Sequence, residues 1–162
     1  MKLKLKLIGL CLVLFSSSIF AAELKVVGQA KMRWLMFPLY LVTLKTSDGR
    51  YEEGRFPQML DILYLRNIDK QDLLDATESE WARLGISLDK RKQWVGHLSK
   101  LWPSIKRGDR LAFQVNPRGE NFFIFNGENI GGIADKKFGQ AFLDIWLSSK
   151  TSRPGIRQRL IG

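Results

Sequence analysis

The sequence predicts an α+β fold, with a large, mainly antiparallel sheet and a layer of helices on one face. Two observations lead to this prediction: strand-like and helix-like segments occur in separate runs, and turn signals join neighbouring strands. Such segregated runs are typical of α+β domains. The 162 residues contain no internal repeat or low-complexity linker, and 45% of them are hydrophobic, which suits one domain with a full core.

Three strands are predicted in the first part of the chain. The segment 24–46 is rich in apolar, β-branched and aromatic residues, with a break at Pro38. It is interpreted as two strands over 24–37 and 39–46, or as one long bent strand. A third strand covers 60–67, and its alternation places four side chains on one face: Leu60, Ile62, Tyr64 and Arg66.

Three further strands follow a pair of helices. One is predicted over 110–116 and a second over 121–125, separated by a turn containing proline and glycine. Asn126 and Gly127 are a strong hairpin signal because both residues tolerate the backbone of a tight turn. They lead to a short strand within 130–133.

Four helices are predicted, two of them as a hairpin in the middle of the chain. Asp69 is expected to cap the first helix, which ends at Gly85, and the second covers 88–102. Asp135 is expected to cap a third helix, and a short last helix begins at Pro154. The third helix carries an apolar stripe at helical spacing: Phe138, Phe142, Ile145 and Trp146.

The N-terminus has the pattern of a secretory signal. Three lysines precede an apolar run over 7–15, and small residues end the segment at Ala21 and Ala22. We therefore expect residues 1–22 to be a cleavable signal peptide and 23–162 to be the mature domain in a Gram-negative periplasm; the alternative is a buried N-terminal helix. Cleavage would remove three lysines and no acid, which lowers the formal net charge from +10 to +7.

The scarcity of cysteine and histidine limits the possible chemistry. One Cys excludes an intramolecular disulfide framework, and one His excludes a multi-histidine zinc site. We expect no metal and no cofactor. His97 is expected to lie at the edge of the core with its ring nitrogen hydrogen-bonded, and the alternative is that it binds a haem. Basic residues cluster over 90–110. In an exported protein such a cluster indicates a solvated face or a peripheral contact with an anionic membrane, and we expect no nucleic-acid partner.

Several polar side chains lie within the strands, among apolar neighbours. A buried arginine needs an anionic partner, because an unpaired charge in an apolar environment is costly. An apolar cleft with arginine and tyrosine at one end would suit a fatty acid or another amphiphilic anion. The alternative is that the arginines face solvent or pair with Asp61 or Glu52. The residues in question are Arg33, Tyr40, Tyr64 and Arg66.

Taken together and in order, several motifs resemble the bacterial chalcone isomerase-like family of small exported proteins. They are GQAKMR at 28–33, FPLY at 37–40, LYLRNI at 63–68, Trp94 with the later Gly108 and Asp109, FIFNG at 123–127, IGGIAD at 130–135, the segment 138–147 and RQRLIG at 157–162. The resemblance implies an open-faced β-sandwich, in which a large antiparallel sheet and a helical layer enclose a ligand cleft.

The wider family contains plant enzymes that close a chalcone to a flavanone, and non-catalytic members that bind fatty acids. The enzymes' pattern is broken here, since Pro38 falls about where they carry threonine, and the helix after Arg66 lacks their Tyr-Lys-Asn set. In the fatty-acid-binding branch an arginine and a tyrosine of the first two strands hold the carboxylate. The resemblance implies that role for Arg33 or Lys31 together with Tyr40.

We therefore expect a periplasmic, non-catalytic protein that binds a fatty acid or similar amphiphilic anion between sheet and helices. The expected ligand-binding residues are Lys31, Arg33, Tyr40, Tyr64 and Arg66, with no catalytic or metal-binding residue. The alternatives are a chalcone-flavanone-type isomerase, which would be an intramolecular lyase, and a haem-binding or anionic-membrane-surface module. The oligomeric state stays open.

Overall fold

The computed structural model describes residues 23–162, so the expected signal peptide lies outside the described residues. Six strands and four helices are found in this part. The strands are β1 (Lys25–Trp34), β2 (Phe37–Thr46), β3 (Gln58–Tyr64), β4 (Arg110–Val115), β5 (Asn121–Phe125) and β6 (Glu128–Gly131). The helices are α1 (Lys70–Arg83), α2 (Leu88–Leu101), α3 (Phe138–Leu147) and α4 (Pro154–Ile161).

The strands form a single antiparallel sheet in chain order, from β1 at one edge to β6 at the other. Each strand pairs with the next, and the register places Tyr40 of β2 opposite Tyr64 of β3. The α+β prediction is thereby confirmed, including the antiparallel sheet.

One face of the sheet is covered and the other is left partly open. In β3 every second residue is buried, namely Gln58, Leu60, Ile62 and Tyr64, while the residues between them keep part of their surface. This is the alternation expected when only one face meets a core. Aromatic side chains of the helices pack on that face, where Phe142 of α3 meets Phe113 of β4 with ring centroids 4.5 Å apart.

The largest difference from the predicted elements concerns the first hairpin. The chain reverses at Leu35 and Met36, not at Pro38, which lies inside β2. Pro38 pairs only with β1, since the β2–β3 register begins at Tyr40. A proline at the end of a ladder removes one donor without breaking the sheet.

Asp135 fixes the helices to each other and does not cap α3 as predicted. Its carboxylate accepts hydrogen bonds from Lys90 Nζ at 2.7 Å and Trp94 Nε1 at 3.0 Å, both on α2. It also accepts from the backbone N–H of Lys137, just before α3 begins at Phe138. The hydrogen bond from Lys90, followed by that from Lys137, lowers the pKa of Asp135 to about 2.

The last helix closes against the first strand at a glycine. A Cβ atom on Gly28 would overlap the backbone carbonyl oxygens of Arg159 and Leu160. The lack of a side chain at Gly28 is therefore what allows α4 to lie directly on β1. The α4 segment in turn brings the preceding loop, with Ser152 and Arg153, towards the inner face of the sheet.

We expect Gly28→Ala to lower the free energy of unfolding by about 1–3 kcal/mol, the usual cost of overpacking a close contact. Gly96 of α2 is the matched control, since nothing lies within 4 Å of a Cβ placed there. Gly96→Ala should raise stability by about 0.5–1 kcal/mol, because glycine is a poor helix former. Urea unfolding measures both. Equal effects of the two substitutions would contradict the close packing of α4 on β1.

Candidate functional site

A cavity of about 660 Å³ lies between the inner face of the sheet and the helices. Its deeper wall is aliphatic and aromatic, and its opening is bordered by α1, the end of β1 and the loops after β3 and α3. The volume falls within the roughly 300–1,000 Å³ of small-molecule sites. The apolar wall includes Ile62, Leu111, Phe113, Phe123, Phe142 and Ile145.

Two tyrosines from neighbouring strands contribute the central polar groups of the cavity. Tyr40 and Tyr64 pair across β2 and β3, and their rings meet edge to face with centroids 5.9 Å apart. Tyr40 Oη accepts a hydrogen bond from Trp146 Nε1 at 3.0 Å. The phenolic hydrogen of Tyr40 stays available, because a hydroxyl donates as well as accepts.

Both phenols are neutral at physiological pH. Burial raises the pKa of Tyr64 above its ordinary value, and the neighbouring Tyr40 raises it further. Burial also raises the pKa of Tyr40, while the hydrogen bond from Trp146 and the charge of Arg153 oppose the rise. The pair therefore offers hydroxyl groups that can donate hydrogen bonds to an oxygen anion.

Two arginines border the cavity opening. Arg66 follows β3, and its guanidinium carbon lies 4.9 Å from the centroid of the Phe37 ring. Arg153 precedes α4 and is close enough to Tyr40 to lower the pKa of its phenol. Within residues 23–162 neither guanidinium forms a salt bridge with a carboxylate. Both cations are thus available to an anionic ligand.

Two acids of α1 also border the opening. Asp72 and Glu80 lie on the side of α1 that faces the cavity. Glu80 accepts a hydrogen bond from Ser152 Oγ at 2.7 Å, which fixes the loop before α4. A ligand anion would be repelled by these carboxylates and attracted to the arginines, so the charges of the rim can orient it.

The structure brings together three of the five expected ligand-binding residues: Tyr40, Tyr64 and Arg66 all line the cavity. Lys31 and Arg33 do not. They alternate along β1 with Met32 and Trp34, which line the cavity, so their side chains leave the strand on its other side and are exposed.

The proposed ion pairs of Arg33 and Arg66 with Asp61 or Glu52 are also not found. Asp61 instead contacts Lys45 at 3.0 Å and Arg110 at 3.1 Å, on the open face of the sheet. Glu52 contacts Arg55 at 3.3 Å. Lys45, Asp61 and Arg110 therefore form an ion-paired group on the open face that does not involve the cavity.

Sequence reasoning missed three contributors to the cavity: Trp102, Trp146 and Arg153. Trp146 reaches Tyr40 across 106 residues of chain, a contact that no local spacing signals. Trp102 lines the cavity, and its buried Nε1 has no hydrogen-bond partner in the described part of the chain. A buried donor without an acceptor is costly, so a bound ligand oxygen would be favourable there.

His97 is exposed on α2 and does not line the cavity. A haem or metal ligand at this position would therefore lie outside the cavity. In the same residues no group of three His, Cys, Asp or Glu side chains could hold a metal ion. No helix within 23–162 has both the length and the apolar character to cross a membrane.

Comparison with known proteins agrees with the geometry. A sequence model of the family described as chalcone isomerase-like matches residues 28–162. An uncharacterized protein of Haemophilus influenzae is 24% identical over 160 residues, which cover 99% of this chain and 79% of that protein. The crystal structure of a fatty-acid binding protein of Arabidopsis thaliana superposes with a TM-score of 0.68 at 12% identity, covering 91% of this chain and 90% of that one. At this identity the likeness shows a common fold.

The burial of Tyr64 predicts a pH effect on stability. Above pH about 10 a tyrosine in the unfolded chain loses its proton. Tyr64 in the folded protein keeps it, because its pKa is raised. The free energy of unfolding should therefore fall as the pH rises, with Tyr64 contributing about 1.4 kcal/mol per pH unit.

Tyr64→Phe should remove this contribution, so its stability declines less steeply between about pH 9 and pH 11. Urea unfolding across that range measures the two slopes. Tyr51→Phe is the comparison: burial also raises the pKa of Tyr51, but this side chain is only half-buried and lies outside the cavity, so the slope should change less. Identical slopes for wild type and Tyr64→Phe would show that the phenol of Tyr64 is open to water.

Proposed function

Because the chain belongs to the chalcone isomerase-like family, we propose that it is a non-catalytic binding protein for a fatty acid or a similar amphiphilic anion. The observation that carries this proposal is an apolar cavity with a tyrosine pair inside and unpaired arginines at its opening. The fold shared with a plant fatty-acid binding protein supports the same ligand class.

The chain of the ligand would occupy the aromatic and aliphatic part of the cavity. Each methylene removed from water contributes about 0.8 kcal/mol, so a long chain supplies most of the binding energy. Phe113, Phe123 and Phe142 form the part of the wall that packs on the core, and it is rigid because these rings also contact one another. A preformed apolar wall binds a flexible chain without rearranging.

The charged end of the ligand would lie at the opening, where Arg66 and Arg153 supply positive charge. Tyr40 supplies the phenolic hydrogen that its bond with Trp146 leaves available. Hydrogen bonds between charged partners are the strong ones, and a carboxylate can accept several at once. Repulsion from Asp72 and Glu80 would keep the carboxylate on the arginine side.

The lining side chains support binding more than catalysis. The raised pKa of Tyr40 and Tyr64 keeps both as neutral phenols, which are poor bases. The one imidazole, His97, lies outside the cavity. We also propose that residues 1–22 direct the protein to the periplasm, on the basis of their basic, apolar and small-residue pattern.

Thermal shift and titration of delipidated protein with palmitate test the proposal. We expect the wild type to gain stability as palmitate is added, by about 2.7 kcal/mol at a hundredfold excess over the dissociation constant. Arg66→Ala combined with Arg153→Ala should weaken palmitate binding about ten- to hundredfold, as expected for loss of charged hydrogen bonds. Tyr40→Phe should weaken it less.

Arg33→Ala is the matched control, because this arginine comes from the same sheet but does not line the cavity. It should bind palmitate as the wild type does. The proposal fails if the wild type does not bind palmitate, or if the double variant binds it as tightly as Arg33→Ala. Turnover of a chalcone above the spontaneous rate would show that the protein is not merely a binder.

A further inference from the structure

The hairpin between β1 and β2 ends in four consecutive large apolar side chains that face solvent. Trp34, Leu35, Met36 and Phe37 are 61%, 76%, 83% and 53% exposed. Single exposed apolar residues are ordinary, but a contiguous exposed group marks an interaction surface. We call these four residues the hairpin tip.

The backbone conformation of the tip is unfavourable for the leucine that occupies it. Leu35 has a φ of 55°, in the left-handed region. Glycine or asparagine is favoured at such a position, because other side chains collide with the backbone there. A leucine that is three-quarters exposed gains little from packing to offset this strain. The strain and the exposure together indicate that the apolar side chain serves a contact outside the molecule.

Positive charge surrounds the tip. Lys31 and Arg33 are exposed on β1, just before it, and the guanidinium of Arg66 lies over the ring of Phe37. Within the part of the chain that the structure describes, none of these three cations forms a salt bridge with a carboxylate. The two acids that line the cavity, Asp72 and Glu80, both belong to α1.

We propose that the hairpin tip inserts into the headgroup region of an anionic lipid bilayer. Tryptophan is enriched at the membrane–water interface, where its ring meets acyl chains and its N–H stays hydrated. Lysine and arginine beside an apolar segment bind lipid phosphates, and their stems lie along the apolar surface. A four-residue hairpin end is also too small for a stable protein interface, which needs about 800 Å² on each partner.

The tip adjoins the opening of the cavity. Trp34 belongs to both features, and Arg66 lines the cavity while its guanidinium lies over the ring of Phe37 in the tip. Membrane docking would therefore place the opening against the layer in which an amphiphilic anion dissolves. This consequence rests on the proposed ligand, whereas docking itself does not.

Flotation with lipid vesicles tests the docking. We expect the wild type to float with vesicles of equal parts phosphatidylcholine and phosphatidylglycerol, and less with phosphatidylcholine alone. Leu35→Asn combined with Met36→Ser should reduce its partition about tenfold or more. These two residues do not line the cavity, and asparagine suits the backbone of Leu35, so folding and palmitate binding should be kept.

Leu88→Ser is the control for the apolar contribution, since Leu88 is 51% exposed but lies at the start of α2. Lys31→Glu with Arg33→Glu should abolish the preference for anionic vesicles, whereas Lys92→Glu with Lys100→Glu on α2 should keep it. The proposal is overturned if the wild type binds neither vesicle, if Leu88→Ser matches the tip variant, or if the tip variant changes only the oligomeric state. Loss of flotation with intact palmitate binding would support docking separately from the proposed function.

Discussion

The packing of aromatic side chains between the helices and β4 and β5 determines the shape of the whole molecule. Phe142 lies 4.5 Å from Phe113 and 5.2 Å from Phe123, centroid to centroid, and Trp81 of α1 joins the same cluster through Phe138. These contacts hold α1 and α3 on one half of the sheet. The cavity adjoins this cluster: residues of β1, β2 and β3 line it together with Phe113 and Phe123. The core and the site therefore share residues, because aromatic rings of the core also form the inner wall of the cavity.

Polarity increases from the inner wall to the opening. The interior offers aliphatic and aromatic surface, the middle offers the hydroxyls of Tyr40 and Tyr64, and the opening carries opposite charges. This order matches a molecule with an apolar chain and a charged end. Beside the opening lies the hairpin tip, whose exposed apolar side chains are surrounded by lysine and arginine. A binding site and a membrane-facing surface would then share one strand hairpin.

Local patterns predicted most of the fold, and the alternation of β3 placed Tyr64 and Arg66 on the inner face correctly. The sequence did not show that Lys31 and Arg33 lie outside the cavity, because alternation in β1 separates them from Met32 and Trp34 without indicating which of the two faces meets the helices. Pro38 was interpreted as a break in the strand because proline lacks a backbone N–H donor. In the structure it precedes the first residue of β2 that pairs with β3, so β3 requires no donor from it. Trp146 and Arg153 reach Tyr40 only through the tertiary packing of α3 and α4, for which the sequence carries no local signal.

The central claim is that the cavity holds the apolar chain of an amphiphilic anion. Native mass spectrometry of the protein purified from its own host without detergent tests it most directly, with Ala76→Trp as the comparison. Ala76 lines the cavity on the same side of α1 as Asp72 and Glu80 and is not part of the core, so an indole there would occupy the cavity without disturbing the core. We predict that the wild type carries one amphiphilic acid per chain and that Ala76→Trp carries none. A wild type that is free of such an acid and does not take one up, or an Ala76→Trp variant that retains it, would contradict the account.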